Sequence, residues 1–453
     1  MKVQVIKSGI NGEGIGYFKE KPIFISGVLP NESVEVKRFE DKGKYFVSTD
    51  HYVLESSPKR IKPKCKHQRL CGACPLMITD TQTQTQLKLD NFKQAIHKYA
   101  GVALTKMIGD VVVNPEPFGY RNSLKMPIQM IEGRLCTGFY QSGSNHFVEI
   151  ERCEVHDDLL EKTRVSVMEV LNTFKLKAYD EKTKKGMRML VMRTLSGKTQ
   201  VSLITGEDTL THAIVEALAN IESVVSIYQS VHTTKKTVEL FGEEATLLYG
   251  ERYLKFDFAG LKLELLPQAF FQLNIHSAEN LFKSVLNHIH PKDEVIDVYC
   301  GVGALSLMMA KKATSVYGIE LNKEAIKSAR FNADNNKLKN VRFQTADAFV
   351  ELQKHNLRNH TIVVDPPRSG LSDDMVKLLV QYPAQKLIYV SCNPSTLAKN
   401  LKELQKVYYV ESIESFDFFS QTPLLEAVVV LKPTKSGRTS LRPPLSRPHR
   451  TPR

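Results

Sequence analysis

The chain has 453 residues, enough for about three domains at ~100–200 residues each. Hydrophobic residues make up 42% and charged residues 25%; these are globular proportions that exclude a wholly disordered chain, and no apolar run reaches the ~18 residues of a membrane span. Lys and Arg number 62 against 49 Asp and Glu, a net charge of +13; the tail 432–453 carries +7 of it and no acid, which leaves +6 on the body and suits a polyanionic partner.

The N-terminus lacks the long apolar stretch of a secretory signal, so the cytoplasm is the expected compartment, with no membrane and no obligate protein partner. Residues 1–58 alternate β-branched and polar residues between turn signals at Asn11-Gly12, Lys21-Pro22, Pro30-Asn31 and Lys42-Gly43. Five short strands in a small OB-like barrel are expected, with aromatic and basic residues such as Tyr17, Phe24, Lys19 and Lys44 suited to single-stranded nucleic acid or, individually, to a core. Residues 59–262 begin with six cations around a cysteine cluster, Cys65-x5-Cys71-x2-Cys74. Seven cysteines, an odd number, argue for metal ligation or catalysis rather than a disulfide framework.

The stretch 79–100 starts polar and then becomes helical, with Leu87, Leu89, Phe92, Ala95, Ile96 and Tyr99 near i, i+3, i+4 spacing. A central α+β region follows, with helices near 157–174 and 208–221 and no catalytic motif. Its strand-like segments "YRNSLKMPIQ" and "GFYQSGSNHFVEIERCEVHD" expose Arg, Lys and Tyr that suit either substrate contact or scaffold.

Residues 263–432 change pattern. Apolar strands, loops with Gly, Pro or an acid, and helices recur in order, which predicts an α/β, Rossmann-like parallel sheet closed by strands over Val407–Phe418 and Glu426–Lys432. "VIDVYCGVGALSL" places Gly301 and Gly303 after a strand, Glu320 ends the next strand, and Asp347 lies at the end of the third. Two glycines without a third, followed by a ribose-binding acid, suit a single-nucleoside cofactor better than a dinucleotide, and S-adenosylmethionine (SAM) is the expected one. The Pro- and Arg-rich segment 433–453 is expected to be disordered.

The string "DPPRSG" (365–370), then "LIYVSCNPST" (387–396), then "FDFFSQTPLLE" (416–426), with "QAFFQLN" (268–274) and the cysteine cluster, resembles the RNA uracil-5-methyltransferases. The resemblance spans nearly the whole chain and is closest to the 23S ribosomal RNA branch, whose members carry an N-terminal TRAM barrel and an iron–sulfur cluster. It implies a class I SAM-dependent methyltransferase domain behind a TRAM β-barrel and a central RNA-binding domain, with the helix near 80–108 packed on the catalytic unit. The expected activity is methyl transfer to C5 of uridine in 23S rRNA. By that likeness Cys392 is the nucleophile that adds to C6 and Glu426 the base that removes the C5 proton. Gln272, Tyr299, Glu320 and Asp365, with Asp347 as an addition, would hold SAM. Cys65, Cys71, Cys74 and Cys153 would hold a [4Fe–4S] cluster of structural role, although by spacing alone four thiolates suit zinc equally. Two positions depart from the family pattern: Ser420 stands for a proline and Leu424 for a histidine. Competing readings are an RNA cytosine-5-methyltransferase, which would carry Thr-Cys and Pro-Cys pairs that this chain lacks, an RNA-binding protein without catalysis, and a tRNA uridine as substrate.

Overall fold

The computed structural model describes residues 1–141, 143–234 and 240–435. The basic tail expected to be disordered therefore lies mostly outside the described residues. No helix among them is long and apolar enough to cross a membrane.

The N-terminal residues form six short strands in one sheet, one more than the turn signals suggested. In spatial order they are Lys2–Gln4, Ser33–Asp41, Phe46–Glu55, Lys21–Ile25, Gly14–Phe18 and Lys7–Ser8. The sheet closes on itself because its two edge strands, Lys2–Gln4 and Lys7–Ser8, are consecutive parts of one stretch of chain. Closure needs glycine, because a Cβ on Gly16 would collide with Val3 and lie 2.6 Å from the Gln4 carbonyl oxygen. Val3, Val5, Ile23, Ile25, Val34 and Phe46 fill the interior.

The central part is a seven-stranded sheet in which Ser123–Ile131, Met187–Leu195 and Lys198–Thr205 are consecutive neighbours. The helices Asp158–Thr173 and His212–Ala219 cover one face, where Leu124, Met126, Leu190, Met192, Val201 and Leu203 point inward. The other face carries the alternate residues, which are largely polar.

The C-terminal sheet has eight strands in the order Val341–Thr345, Ser315–Glu320, Glu294–Val298, Thr361–Val364, Lys386–Ser391, Glu426–Pro433, Tyr408–Phe416 and Val111–Val112. The first five are mutually parallel, and Glu426–Pro433 runs antiparallel to both its neighbours. Runs such as "TIVV" and "AVVVL" are apolar throughout because this sheet is buried on both faces. Helices Ile275–Asn287, Ala304–Ala310 and Lys323–Asn335 pack on one face, and Ala348–Leu352, Asp373–Gln381 and Pro394–Leu404 on the other. This is the class I SAM-dependent methyltransferase fold. The hairpin Leu254–Phe258/Leu261–Leu265 buries its side chains in the same core.

The helix Thr81–Tyr99 also joins this unit through Leu89, Phe92 and Ile96, beside Leu397 and Leu401. It starts inside the polar stretch, capped by Asp80, which accepts from the Thr83 amide at 2.8 Å. Apolar periodicity gives no signal there because two inward positions are polar: Gln84 and Lys88, both 1% exposed, continue the Phe92–Ile96 row at four-residue spacing.

Candidate active site

Three strand ends converge at the carboxyl edge of the parallel sheet. Ser391 faces Ala427 across an antiparallel pair, so the next residue on one strand, Cys392, and the preceding one on the other, Glu426, emerge side by side. The neighbouring strand Thr361–Val364 ends in Asp365, whose amide donates to the Val298 carbonyl at 3.3 Å. Asp365 therefore lies where the strand order reverses, between Glu294–Val298 and Thr361–Val364, the crevice in which such sheets bind ligands. Asn393 fixes the turn after Cys392. Its Oδ1 accepts from the Ser395 amide at 3.0 Å, capping the helix Pro394–Leu404, and its Nδ2 donates to the Arg368 carbonyl at 2.9 Å.

The electrostatics favour protonated groups. Burial, with Glu426 and Asp365 adding to it and Arg368 opposing, pushes the Cys392 thiol up to about 11. Burial and then Asp365 hold Glu426 well above the usual carboxylate range, against the pull of Arg368. Burial raises Asp365 to about 6. A thiol, two carboxyls and one exposed guanidinium thus share one field, and the thiol is a poor nucleophile until something changes that field.

Three of the cofactor candidates, Tyr299, Glu320 and Asp347, lie together on the loops after the adjacent strands. Tyr299 follows the strand Glu294–Val298 with φ +69°, an unusual conformation for a tyrosine, and the next glycine, Gly301, has φ +54° with open space over it. Glu320 accepts from the Gly301 amide at 3.3 Å and from the Asn322 amide at 2.9 Å. Asp347 is exposed and caps the helix Ala348–Leu352 through the Val350 amide at 3.0 Å; both acids lie close enough to raise Tyr299 beyond what burial does. Gln272 is carried by a doubly anchored segment. Its carbonyl accepts from Asn122 Nδ2 at 3.0 Å, and Asn274 donates from Nδ2 to the Phe418 carbonyl at 3.0 Å. Beneath the loop lies Asp297, fully buried. Burial is the main cause of its rise to about 7, Asp365 and Glu320 add to it, and the Ser306 hydroxyl donates to its carboxylate.

The segment 417–425 leads into Glu426 and is held by residues from before the central sheet. Lys88 Nζ donates to Asp417 Oδ1 at 2.5 Å and to the Phe419 carbonyl at 3.0 Å. Ser420, fully buried, donates to Asp417 Oδ2 at 2.8 Å and accepts from Asn114 Nδ2 at 3.2 Å, while its carbonyl accepts from the Tyr120 hydroxyl at 2.9 Å. Gln421, at φ +73°, exchanges two 2.9 Å bonds with Gln84. The departure at Ser420 therefore adds hydroxyl bonds that a proline could not make; nothing in the structure explains Leu424. Pairs separated by 300 residues or more leave no local signal, so nothing in the sequence points to the clamp.

Cys65, Cys71, Cys74 and Cys153, separated by up to 88 positions, line one cavity of about 70 Å³ with Met77 and Tyr120. Burial is the main cause that raises all four thiols, Cys153 to about 11; Cys74 also feels the other three. Among the described residues, no group of three or more His, Cys, Asp or Glu side chains closes round a single metal ion. Cys136 is buried and lies 2.8 Å from Arg134 Nη1, and Cys300 packs against Gly318; neither joins the cluster.

Residues 84–434 match the family model for tRNA (uracil-5-)-methyltransferase. An uncharacterized RNA methyltransferase of Enterococcus faecalis is 34% identical over 450 residues, covering 95% of this chain and 97% of the relative. One from Listeria monocytogenes is 33% identical over 439 residues, 94% and 95% of the two chains. Among solved structures, the tRNA (uracil-54, C5)-methyltransferase of Pyrococcus abyssi, in complex with S-adenosyl-L-homocysteine, superposes with a TM-score of 0.77 at 25% identity, over 95% of this chain and all of that one. A match over more than three-quarters of the chain, to a family defined by methylation of uracil C5 in RNA, leaves one conclusion: this protein belongs to the tRNA (uracil-5-)-methyltransferase family.

Proposed function

We infer that the protein methylates C5 of uridine in RNA, with Cys392 as nucleophile and Glu426 as proton acceptor. The observation that carries this reading is the strand register that sets Cys392 and Glu426 side by side at the ligand crevice. Uracil C5 is a weak nucleophile. Addition of the Cys392 sulfur to C6 turns the ring into an enolate whose C5 can take a methyl group. Glu426 then removes the C5 proton, and Cys392 leaves as the C5–C6 double bond re-forms. Both groups are held protonated in the free protein, so substrate entry must release the Cys392 thiol proton and the Glu426 carboxyl proton to solvent before the thiolate adds and the carboxylate accepts the C5 proton; once ionised, the high proton affinity of Glu426 suits that base role. Arg368, the cation in this field, favours the thiolate. Both ring carbons are shielded in a stack, so the target base must leave it to reach Cys392.

The donor fits the crevice: the open backbone at Gly301, the acid Glu320 and the positive-φ Tyr299 form a cradle of the kind a nucleoside occupies. Gln272, Tyr299, Glu320 and Asp365 would hold SAM, with Asp347 at the rim; when bound, SAM supplies an electrophilic methyl group. The thiols of Cys65, Cys71, Cys74 and Cys153 would hold a [4Fe–4S] cluster. Four thiols lining one cavity suit a zinc ion or a [4Fe–4S] cluster equally, and the likeness to the iron–sulfur branch of the family favours the cluster. The cluster would staple the chain after the barrel to the central sheet.

The substrate class proposed is 23S rRNA, in a cytoplasmic setting. A second reading, tRNA, is favoured by one specific observation: the Pyrococcus tRNA enzyme matches across 95% of this chain, so the shared architecture is compatible with a tRNA substrate. The test uses RNA containing 5-fluorouridine, whose C5 has no proton to lose. With SAM, wild-type protein should form a denaturation-stable adduct and Cys392→Ala none; absence of the wild-type adduct refutes the mechanism. Mapping 5-methyluridine in 23S rRNA and tRNA from cells with and without the gene decides between the two RNAs.

A further inference from the structure

A second cavity, of about 470 Å³, lies between the polar face of the central sheet and the segment 267–273, whose Leu273 lies next to Gln272. It reaches Asn322, two residues beyond Glu320. Its floor is set by strand register. Arg193 pairs with Ser123 on one side and Gln200 on the other, while Val191 pairs with Lys125 and Ser202, so all six share one face. Arg121 completes a set of three cations, and among the described residues no acid lines the cavity.

Two of these side chains are buried with donors that have no partner among the described residues. Arg193 is 9% exposed; its Nη2 donates to the Ala269 carbonyl at 2.7 Å, but its Nη1 has no partner. Gln200 is 2% exposed and its Nε2 has none. Burial alone draws Arg193 down to about 10, and burial lowers Lys125 first, with Arg193 and Arg121 adding to it. A buried guanidinium without a counter-ion is among the costliest arrangements in a fold. Orphaned groups that are all donors, in a cationic cavity, call for one kind of occupant: an anion with several acceptor oxygens.

We propose that Arg193, Gln200 and Lys125 form a phosphate-binding subsite that grips a backbone phosphodiester of the substrate RNA at the seam between the central sheet and the methyltransferase unit. Arg193 and Gln200 supply fixed donors from the floor, and Lys125 supplies a mobile charge from the rim. The subsite rests on the reading of the protein as an RNA methyltransferase and extends it. It anchors the strand next to the crevice without reading sequence, as phosphate contacts do.

The test compares wild type with Arg193→Met and Lys125→Gln, using an unmodified 23S rRNA transcript, bulk tRNA and inorganic phosphate as probes. Each variant should bind its RNA about tenfold more weakly near 0.1 M salt. The slope of log affinity against log salt should fall by about 0.7–0.9, the loss of one phosphate contact. Affinity for SAM without RNA should stay unchanged, and Arg193→Met should melt no lower than wild type. If wild type methylates RNA while both variants keep its KM and salt slope, the subsite is overturned and the methyltransferase reading stands. If wild type neither binds nor methylates RNA, both fall. If inorganic phosphate raises the melting temperature of wild type but not of Arg193→Met, while RNA slopes are equal, the cavity takes free phosphate and the RNA assignment is wrong.

Discussion

Replacing Lys88 by Met tests whether the 417–425 segment is held by one buried charge pair. Lys88 and Asp417 are fully enclosed, 2.5 Å apart. Burial lowers the Lys88 pKa more than Asp417 raises it, so desolvation outweighs attraction and the pair adds little net stability. Removing one partner is different, because it strands the Asp417 carboxylate with the Ser420 hydroxyl as its remaining side-chain donor. The expected loss is about 3–5 kcal/mol. At roughly 2–4 °C per kcal/mol for larger domains, the melting temperature should drop by roughly 6–20 °C. The double variant Lys88→Met/Asp417→Leu removes both charges and should regain most of that loss in a thermal melt. Methyl transfer should not recover, because the Phe419 carbonyl and Ser420 hydroxyl lose the partners that fix the approach to Glu426. A single variant melting within 1 °C of wild type, or a double variant with full kcat, would refute the clamp.

Three further outcomes follow from the same geometry. Alkylation of Cys392 in the free protein should accelerate with pH about tenfold per unit through the neutral range and level off only near about 11, since the raised thiol is protonated below that value; a plateau at pH 8 to 9 would contradict the burial argument. Gly303→Ala should cost about 1–3 kcal/mol in urea unfolding, because at φ +83° its Cβ would lie 2.8 Å from Phe343 Cζ and 3.0 Å from Ala329 Cβ; a change under ~0.5 kcal/mol would show that the loop relaxes freely. Cys74→Ser should abolish iron and sulfide incorporation and lower the melting temperature, whereas unaltered iron content would exclude Cys74 as a ligand.

Much of this molecule was written locally. Short apolar runs with an acid at or near the end, Asp297, Glu320 and Asp365, each followed by a helix, announce a parallel sheet because strands buried on both faces are apolar nearly throughout. Glycines at 301 and 303 announce a close backbone approach, and Ser-Cys-Asn-Pro announces a strand end, a cap and a helix start, since each follows from chemistry within a few residues. The helix start at Thr81 was blurred because Gln84 and Lys88 are inward yet polar, and their partners lie more than 300 positions away. In the same way Arg193 and Gln200 read as ordinary strand residues, and only register places their donors over one cavity. Within residues 263–432, sequence alone determined the order of strands and helices, which short-range periodicity encodes. Tertiary structure decided which buried charges are matched and which are left open, because desolvation depends on what the whole chain folds around each group.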